Sequence, residues 1–326
     1  MKICVYGAGV IGGILASALA RADHSVSVIA RGAHLAAIQR SGLTIVTPED
    51  RVNTRLPASL NPADFGVQDL VIVATKTSAF RDVVKGVGSL IGPDTLVAFA
   101  VNGIFWFYGD GFSPPGAAID MQRLDPDGAL HRVVGSERAL GMVCWGGGEI
   151  HEPGVVHATR AGGRFVAGAG TPGSIARART LIEALRVRDI DIEATGDIRR
   201  HMWLKFFGIA GNFATCALTG GTIAQVHGEG AVQDVALALA SEAHAVARAH
   251  GFLDLGFDAG KLRANPSTSP HKPSMLQDLE RGREIELEST YLVLQDLAQQ
   301  AGVATPTLDV VAPLLTLRAR LAGCLR

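Results

Sequence analysis

Short apolar runs alternate with segments of helical period from the N-terminus to about Gly196. Ile3–Tyr6 leads into an Ala/Leu-rich segment whose apolar positions, Ile11, Ile14, Leu15, Ala18 and Leu19, keep a helical period. Ser25–Ile29 reads as a second strand and His34–Arg40 as a short helix. Leu43–Val46 and Val52–Arg55 read as strands around a turn at Thr47–Asp50. Leu70–Ala74 is an unbroken β-branched run, the pattern of a strand in the middle of a parallel sheet. Thr95–Ala100 follows as the next strand. Leu140–Trp145, Val155–Ala158 and Arg164–Ala167, separated by glycine-rich or Pro-Gly turns, predict a hairpin-rich edge to that sheet. Ser174–Arg188 reads as an amphipathic helix and Ile190–Ala194 as a last strand. Beyond Gly196 the pattern is helical: Ile198–Leu218, Glu229–His250 as core or dimer surface, Leu287–Ala301 and Thr307–Leu321. The expected fold is therefore α/β, a doubly wound sheet over residues 1–196 followed by an all-α domain over 197–326.

One stretch interrupts the alternation. Phe105-Trp106-Phe107-Tyr108 is followed by a Gly/Pro loop, Gly111 to Gly116, and by Ile119–His131. Residues 105–132 are expected to be an insertion, either a lid or pocket wall beside Asn102 or a hydrophobic plug under a long loop.

The totals narrow the function. The chain has 326 residues, 31 acidic against 30 basic and a net charge of −1, so no field favours nucleic acid or an anionic membrane. Cys4, Cys144, Cys216 and Cys324 have no metal-binding or disulfide spacing and read as small core residues in a reducing cytoplasm. The ten histidines show no ligand pairing, so no metal is expected. Phe206–Leu218 is too short to span a bilayer. Ala18-Leu19-Ala20 imitates a signal-peptide cleavage site, but the single Lys2 and the neighbouring glycines do not fit an export signal.

Chemistry begins at Gly7-Ala8-Gly9-Val10-Ile11-Gly12, a G-x-G-x-x-G between a strand and a helix. Gly7 permits the tight turn, Gly9 the approach of a pyrophosphate, and Gly12 close helix–strand packing, while the helix N-terminus favours the anion. This is a Rossmann-type dinucleotide loop. After the second strand stands Arg31, with no Asp or Glu between Asp23 and Glu49. A guanidinium there pairs with a 2′-phosphate, which predicts NADPH. Lys76 and Asn102 follow the next two strands at the ligand-binding edge. Lys76 is a cofactor or substrate candidate, and Asn102 a partner for a nicotinamide carboxamide or a substrate oxygen. In Trp203-Leu204-Lys205-Phe206-Phe207 an amine stands among apolar residues, where desolvation favours giving up its proton. Asn212, seven positions on, lies about 20° from the direction of Lys205 around an ideal helix, so both are expected to face one cleft. Ser274 and Gln277 have capping-box spacing at a helix start.

These residues together resemble the ketopantoate reductase family over nearly the whole chain outside residues 105–132. The resemblance rests on the glycine loop, Lys76, Asn102-Gly103, Glu152-Pro153-Gly154, the W-x-K of Trp203 and Lys205, and Ser274-Met275-Leu276-Gln277-Asp278 followed by Arg283 and Glu286. It implies NADPH-dependent reduction of a small 2-oxo acid, ketopantoate first, with Lys205 as general acid. It further implies that Glu286 holds the substrate hydroxyl, that Ser274 binds substrate, and that Lys76 and Asn102 line the reaction cleft. Relatives commonly carry Asn four and eight residues after the lysine and often Ser before the position of Ser274. Here those positions are Ile209, Phe213 and Pro273, with Asn212 displaced by one. A bulkier 2-oxo acid and a non-catalytic NADPH-binding regulator are the alternatives. The expected partners are the oxo acid and a second copy of the chain.

Overall fold

A computed structural model describes residues 1–112, 119–160, 162–187 and 189–325. Part of the expected Gly/Pro loop, residues 113–116, lies outside the described residues, as does Arg188. The chain divides into two compact units. The first is Met1–Val101 with Asp125–Ile198, the second Asn102–Leu124 with Arg199–Arg326.

The first unit is built on an eight-stranded sheet. Its strands are β1 (Lys2–Tyr6), β2 (Ser25–Ile29), β5 (Ala58–Ser59), β6 (Leu70–Val73), β7 (Leu96–Phe99), β8 (Ala139–Trp145), β11 (Arg164–Ala169) and β12 (Asp191–Thr195). Their order is β12-β11-β8-β7-β6-β1-β2-β5. Neighbours are parallel except β11 against β8. The apolar runs at β6 and β7 are wholly buried, as strands covered on both faces must be. Strand order reverses at β1, which pairs with β2 on one side and β6 on the other. That reversal is where doubly wound sheets bind ligands.

A second sheet, β4-β3-β10-β9, uses β3 (Leu43–Val46), β4 (Arg51–Thr54), β9 (Gly148–Glu152) and β10 (Val155–Ala158). The hairpin region is therefore split, a correction to the expected single edge. β8, β11 and β12 extend the main sheet, while β10 leaves it to pair with β3 and carries β9 on its other edge. The reason lies in α1 (Val10–Ala20), which is apolar on nearly every side and buried from Gly12 to Leu19. Such a helix needs cover on both faces. The main sheet covers one face, and Val156 and Leu43 of the small sheet pack beside Gly13 on the other. Helices α2 (Gly32–Ser41), α3 (Phe80–Val87), α4 (Ala129–Val133) and α5 (Ile175–Ala184) complete the unit.

The second unit is helical: α6 (Ile198–Thr219), α7 (Ile223–Gly228), α8 (Gly230–Ala249), α9 (Ala259–Ala264), α10 (Ser274–Glu280), a π-turn at Glu288–Leu292, α11 (Val293–Gln300) and α12 (Pro306–Leu321). The expected insertion over 105–132 is shared out, its first part through Leu124 belonging to this unit and the remainder to the first. Phe105, Trp106, Phe107 and Tyr108 are buried. Arg199 at the start of α6 donates to the carbonyls of Phe107, Tyr108 and Asp110, which satisfies backbone groups that an irregular buried segment would otherwise leave unpaired. Arg123 ties the far end down through a two-pronged pair with Asp296 and a bond to Glu288. No described helix is long and apolar enough to cross a membrane.

Candidate functional site

The glycine loop lies in the first unit, between β1 and α1. Gly7 has φ +105° and donates its N–H to the Ile29 carbonyl at 2.9 Å. A Cβ on Gly12 would lie 1.9 Å from the Gly7 carbonyl oxygen, so only glycine closes this turn. A Cβ on Gly9 would meet nothing within 4 Å. Gly9 is thus not required for packing, and open space faces the backbone where α1 begins. Thr75 borders the turn, its Cγ2 2.8 Å from where a Gly7 Cβ would stand, and its buried hydroxyl has no hydrogen-bond partner. An open loop at a helix N-terminus beside a buried hydroxyl fits a dinucleotide phosphate.

His34, which the sequence reading passed over, braces this loop. Its Nδ1 accepts the Gly154 N–H at 2.9 Å, so Nε2 carries the proton and donates to the Ala8 carbonyl at 2.8 Å. The phrase Glu152-Pro153-Gly154 thereby acquires a structural role, since Gly154 turns at φ +82° to present that N–H. Arg31 is exposed and stands as N-cap of α2, directly after β2. Lys76 is half-buried and begins the short turn Thr77–Ala79 after β6.

The second unit holds the proton-transfer candidates. The Lys205 Nζ donates to Asn102 Oδ1 at 2.6 Å, and both residues are half-buried. Asn102 owes its place to the next two residues. Gly103 has φ +93°, and a Cβ there would lie 2.0 Å from the carbonyl oxygen of buried Ser289. That carbonyl accepts the Ile104 N–H at 2.8 Å. Behind Lys205, the Trp203 indole donates to the Tyr108 hydroxyl at 3.1 Å, and that hydroxyl meets His250 Nδ1 at 3.1 Å. This buried chain fixes the face of α6 that carries the amine.

Asn212 does not join them. Its Oδ1 meets His227 Nε2 at 2.8 Å, and burial lowers the pKa of that histidine. The Tyr291 hydroxyl intervenes between Lys205 and Asn212. It receives the Ala214 N–H at 2.6 Å and lies 3.0 Å from the carbonyls of Ile209 and Ala210. A side chain wedged into a helix ladder displaces the turns on either side, so an ideal-helix angle does not carry across it.

The capping box expected at Ser274 is absent. Pro273 takes the N-cap position with no side-chain bond, Ser274 is already helical, and Gln277 Nε2 turns back to the Lys272 carbonyl at 2.8 Å. A capping side chain must come from the extended residue before the helix, and proline has none to offer. The capping box of this unit forms instead at Thr222 and Gln225. Ser274 and Glu286 are half-buried. The Glu286 carbonyl accepts the Thr290 hydroxyl at 2.5 Å, which leads into the π-turn. Among the described residues no group of three His, Cys, Asp or Glu is placed to hold a metal ion.

Comparison with known proteins agrees across the whole chain. The family model described as "Ketopantoate reductase PanE/ApbA" matches residues 3–172, and its C-terminal counterpart matches residues 197–319. The 2-dehydropantoate 2-reductase of Mesorhizobium japonicum is 32% identical over 326 residues, covering 99% of each chain. That of Caulobacter vibrioides is 31% identical over 96% of this chain and 98% of its own. Among solved structures, the presumed ketopantoate reductase of Ralstonia solanacearum MolK2 superposes with a TM-score of 0.89 at 30% identity, covering 100% of this chain and 99% of that one. A D-mandelate dehydrogenase bound to NADH and anilino(oxo)acetate shares the fold, with a TM-score of 0.85 at 20% identity over 100% of both chains.

Proposed function

Because the chain belongs to the ketopantoate reductase family and is an oxidoreductase working with a nicotinamide cofactor, we propose that it reduces a small 2-oxo acid with NADPH. Its first substrate is 2-dehydropantoate, the product pantoate, and Lys205 is the general acid. The observation that carries this reading is the hydrogen bond from the Lys205 ammonium to the Asn102 amide oxygen. It supports an amine oriented by an amide oxygen and able to donate to an oxyanion.

The glycine loop would hold the cofactor's pyrophosphate, Arg31 its 2′-phosphate, and Lys76 the edge of the same site. When bound, the reduced nicotinamide supplies a hydride to the ketone carbon. The developing alkoxide then takes its proton from Lys205 Nζ. Asn102 passes from holding the amine to bonding substrate or carboxamide, Glu286 accepts from the substrate hydroxyl, and Ser274 bonds the acid. Glu286 and Ser274 rest on the family resemblance.

The test is NADPH consumption with 2-dehydropantoate and a panel of 2-oxo acids, with Lys205→Ala as control. Loss of a positioned general acid is expected to lower kcat by ~10²–10⁴. Full activity in that variant would remove Lys205 from the mechanism. A second reading, a bulkier and more apolar oxo acid, is favoured by the buried side chain of Ile209 and the half-buried Phe213 at positions where relatives commonly carry Asn. It predicts higher kcat/KM for branched or aromatic members of the panel. NADPH binding with no turnover of any oxo acid would favour a regulator instead. Arg31→Ala is expected to weaken NADPH binding by about tenfold and leave NADH unchanged, the loss of one charge-assisted phosphate contact.

A further inference from the structure

Three residues of the proposed reaction come from separate stretches of the second unit: Asn102 from the segment 102–124, Lys205 from α6, and Glu286 from just before the π-turn. That one turn touches all three stretches. Its Leu292 N–H reaches back five residues to the Leu287 carbonyl at 3.2 Å, and the Val293 N–H five residues to that of Glu288. Single-turn π segments are rare and occur frequently at functional sites. In an α-helical ladder the Val293 N–H would take the Ser289 carbonyl. Here that carbonyl accepts the Ile104 N–H at 2.8 Å, two residues from Asn102.

The neighbouring residues reach other segments. Glu288 pairs with Arg123 at 2.9 Å, so the stretch that begins at Asn102 is held near both ends. The Thr290 hydroxyl donates to the Glu286 carbonyl at 2.5 Å. The Tyr291 hydroxyl enters α6 about one turn beyond Lys205, at Ile209, Ala210 and Ala214. Tyr291 is wholly buried, which raises the pKa of its phenol and keeps it a donor at neutral pH. Four consecutive residues thus hold four different stretches by polar contacts. Packing alone would be met by apolar burial, as it is along α11 through Val293, Leu294, Leu297 and Ala298. Hydrogen bonds do more than bury area, because they weaken steeply with misalignment whereas apolar burial is non-directional.

We propose that Tyr291 and Thr290 are positioning residues, which through the π-turn set the Lys205 amine against Asn102 and fix the placement of Glu286. This inference rests on the roles proposed above for those three residues.

Tyr291→Phe and Thr290→Val each remove one hydroxyl and keep the shape of the side chain. Misplacing a reacting group by about 1 Å costs up to ~10² in rate, so Tyr291→Phe is expected to lower kcat with the best oxo acid of the panel ~10–100-fold, with NADPH affinity unchanged. Thr290→Val is expected to raise KM for the oxo acid about tenfold, the equivalent of one substrate hydrogen bond. Thr290→Ser keeps the hydroxyl and should behave as the parent chain. The amine can also be read without turnover, by competitive acetylation with acetic anhydride across a pH series and mass spectrometry of the Lys205 peptide. In Tyr291→Phe acetylation of Lys205 should begin at lower pH, because the bond to Asn102 favours the ammonium. An unchanged acetylation profile or parental kcat in a folded Tyr291→Phe would overturn the proposal. So would a Thr290→Val that matches Thr290→Ser, whether or not Tyr291→Phe folds. Absence of turnover in the parent chain would remove the reaction itself, and the acetylation profile would still decide whether Tyr291 places the amine.

Discussion

Gly9 and Gly12 stand three residues apart in one motif and carry different burdens. Gly12 is a packing requirement, since its Cβ would sit 1.9 Å from a backbone oxygen of the same loop, whereas a Cβ on Gly9 would touch nothing. Gly12→Ala is therefore expected to destabilise the fold by about 3 kcal/mol or more, read as a lower urea midpoint. Gly9→Ala should keep the melting temperature and lose NADPH affinity by about tenfold, because its Cβ points into the space assigned to the phosphates. Equal loss of stability in the two variants would contradict this division of roles. These glycines were legible in the sequence because their backbone demands are local. His34 was not, because its two partners, Ala8 and Gly154, are far apart in the chain. The cysteines are legible for a different reason: burial pushes the Cys4 thiol up to about 12 and Cys216 up to about 11, as expected of small core residues. Neither is expected to react with a thiol reagent until the chain is unfolded, which mass spectrometry after alkylation checks.

At the scale of elements, the strands of the main sheet other than the two-residue β5 and the long helices fall within a few residues of their apolar patterns. Val155–Ala158 and Ser25–Ile29 are reproduced residue for residue. What the pattern could not give was the interior of α6. Periodicity assumes an unbroken ladder, and the Tyr291 hydroxyl enters this one beside Ala214. Removing that hydroxyl leaves the buried Ala214 N–H without the acceptor it uses. Tyr291→Phe is thus expected to cost about 1–3 kcal/mol in urea unfolding, with the effect centred on α6 in hydrogen exchange. An unchanged midpoint would show that the ladder closes on its own. The aromatic segment after Asn102 is a similar case. Its composition left a lid and a buried plug both open, because its partners, Arg199, Trp203 and His250, lie 91 to 142 residues further along the chain.

For the molecule as a whole, acid sensitivity follows from its histidines. Burial is the main cause that lowers the pKa of His24, His227, His244 and His250 from the ordinary 6.5. His250 is the most enclosed, 2% exposed, and its Nε2 faces the Leu297 carbonyl. Above the ordinary value neither the folded nor the unfolded chain is protonated at these sites, so they leave stability unchanged. As the pH falls through 6.5 the unfolded chain takes up protons that the folded chain refuses, and stability falls until the lower folded values are reached. Urea midpoints are expected to be flat near pH 7.5 and to decline towards pH 5.5, with a shallower decline in His250→Gln. A rising midpoint in that window would reverse the assignment.

The α/β class, most strands of the main sheet, the longer helices and the glycine loop were present in the sequence by itself. Each is a matter of local backbone demand, of apolar period, or of a motif confined to a few neighbouring positions. Only the tertiary structure decided that β9 and β10 join β3 and β4 in a second sheet, because covering both faces of α1 is a requirement of packing. Only it brought Asn102 to the Lys205 amine and turned Asn212 to His227 instead. Those pairings join side chains through the folded core, where a hydrogen bond depends on position in space and not on distance along the chain.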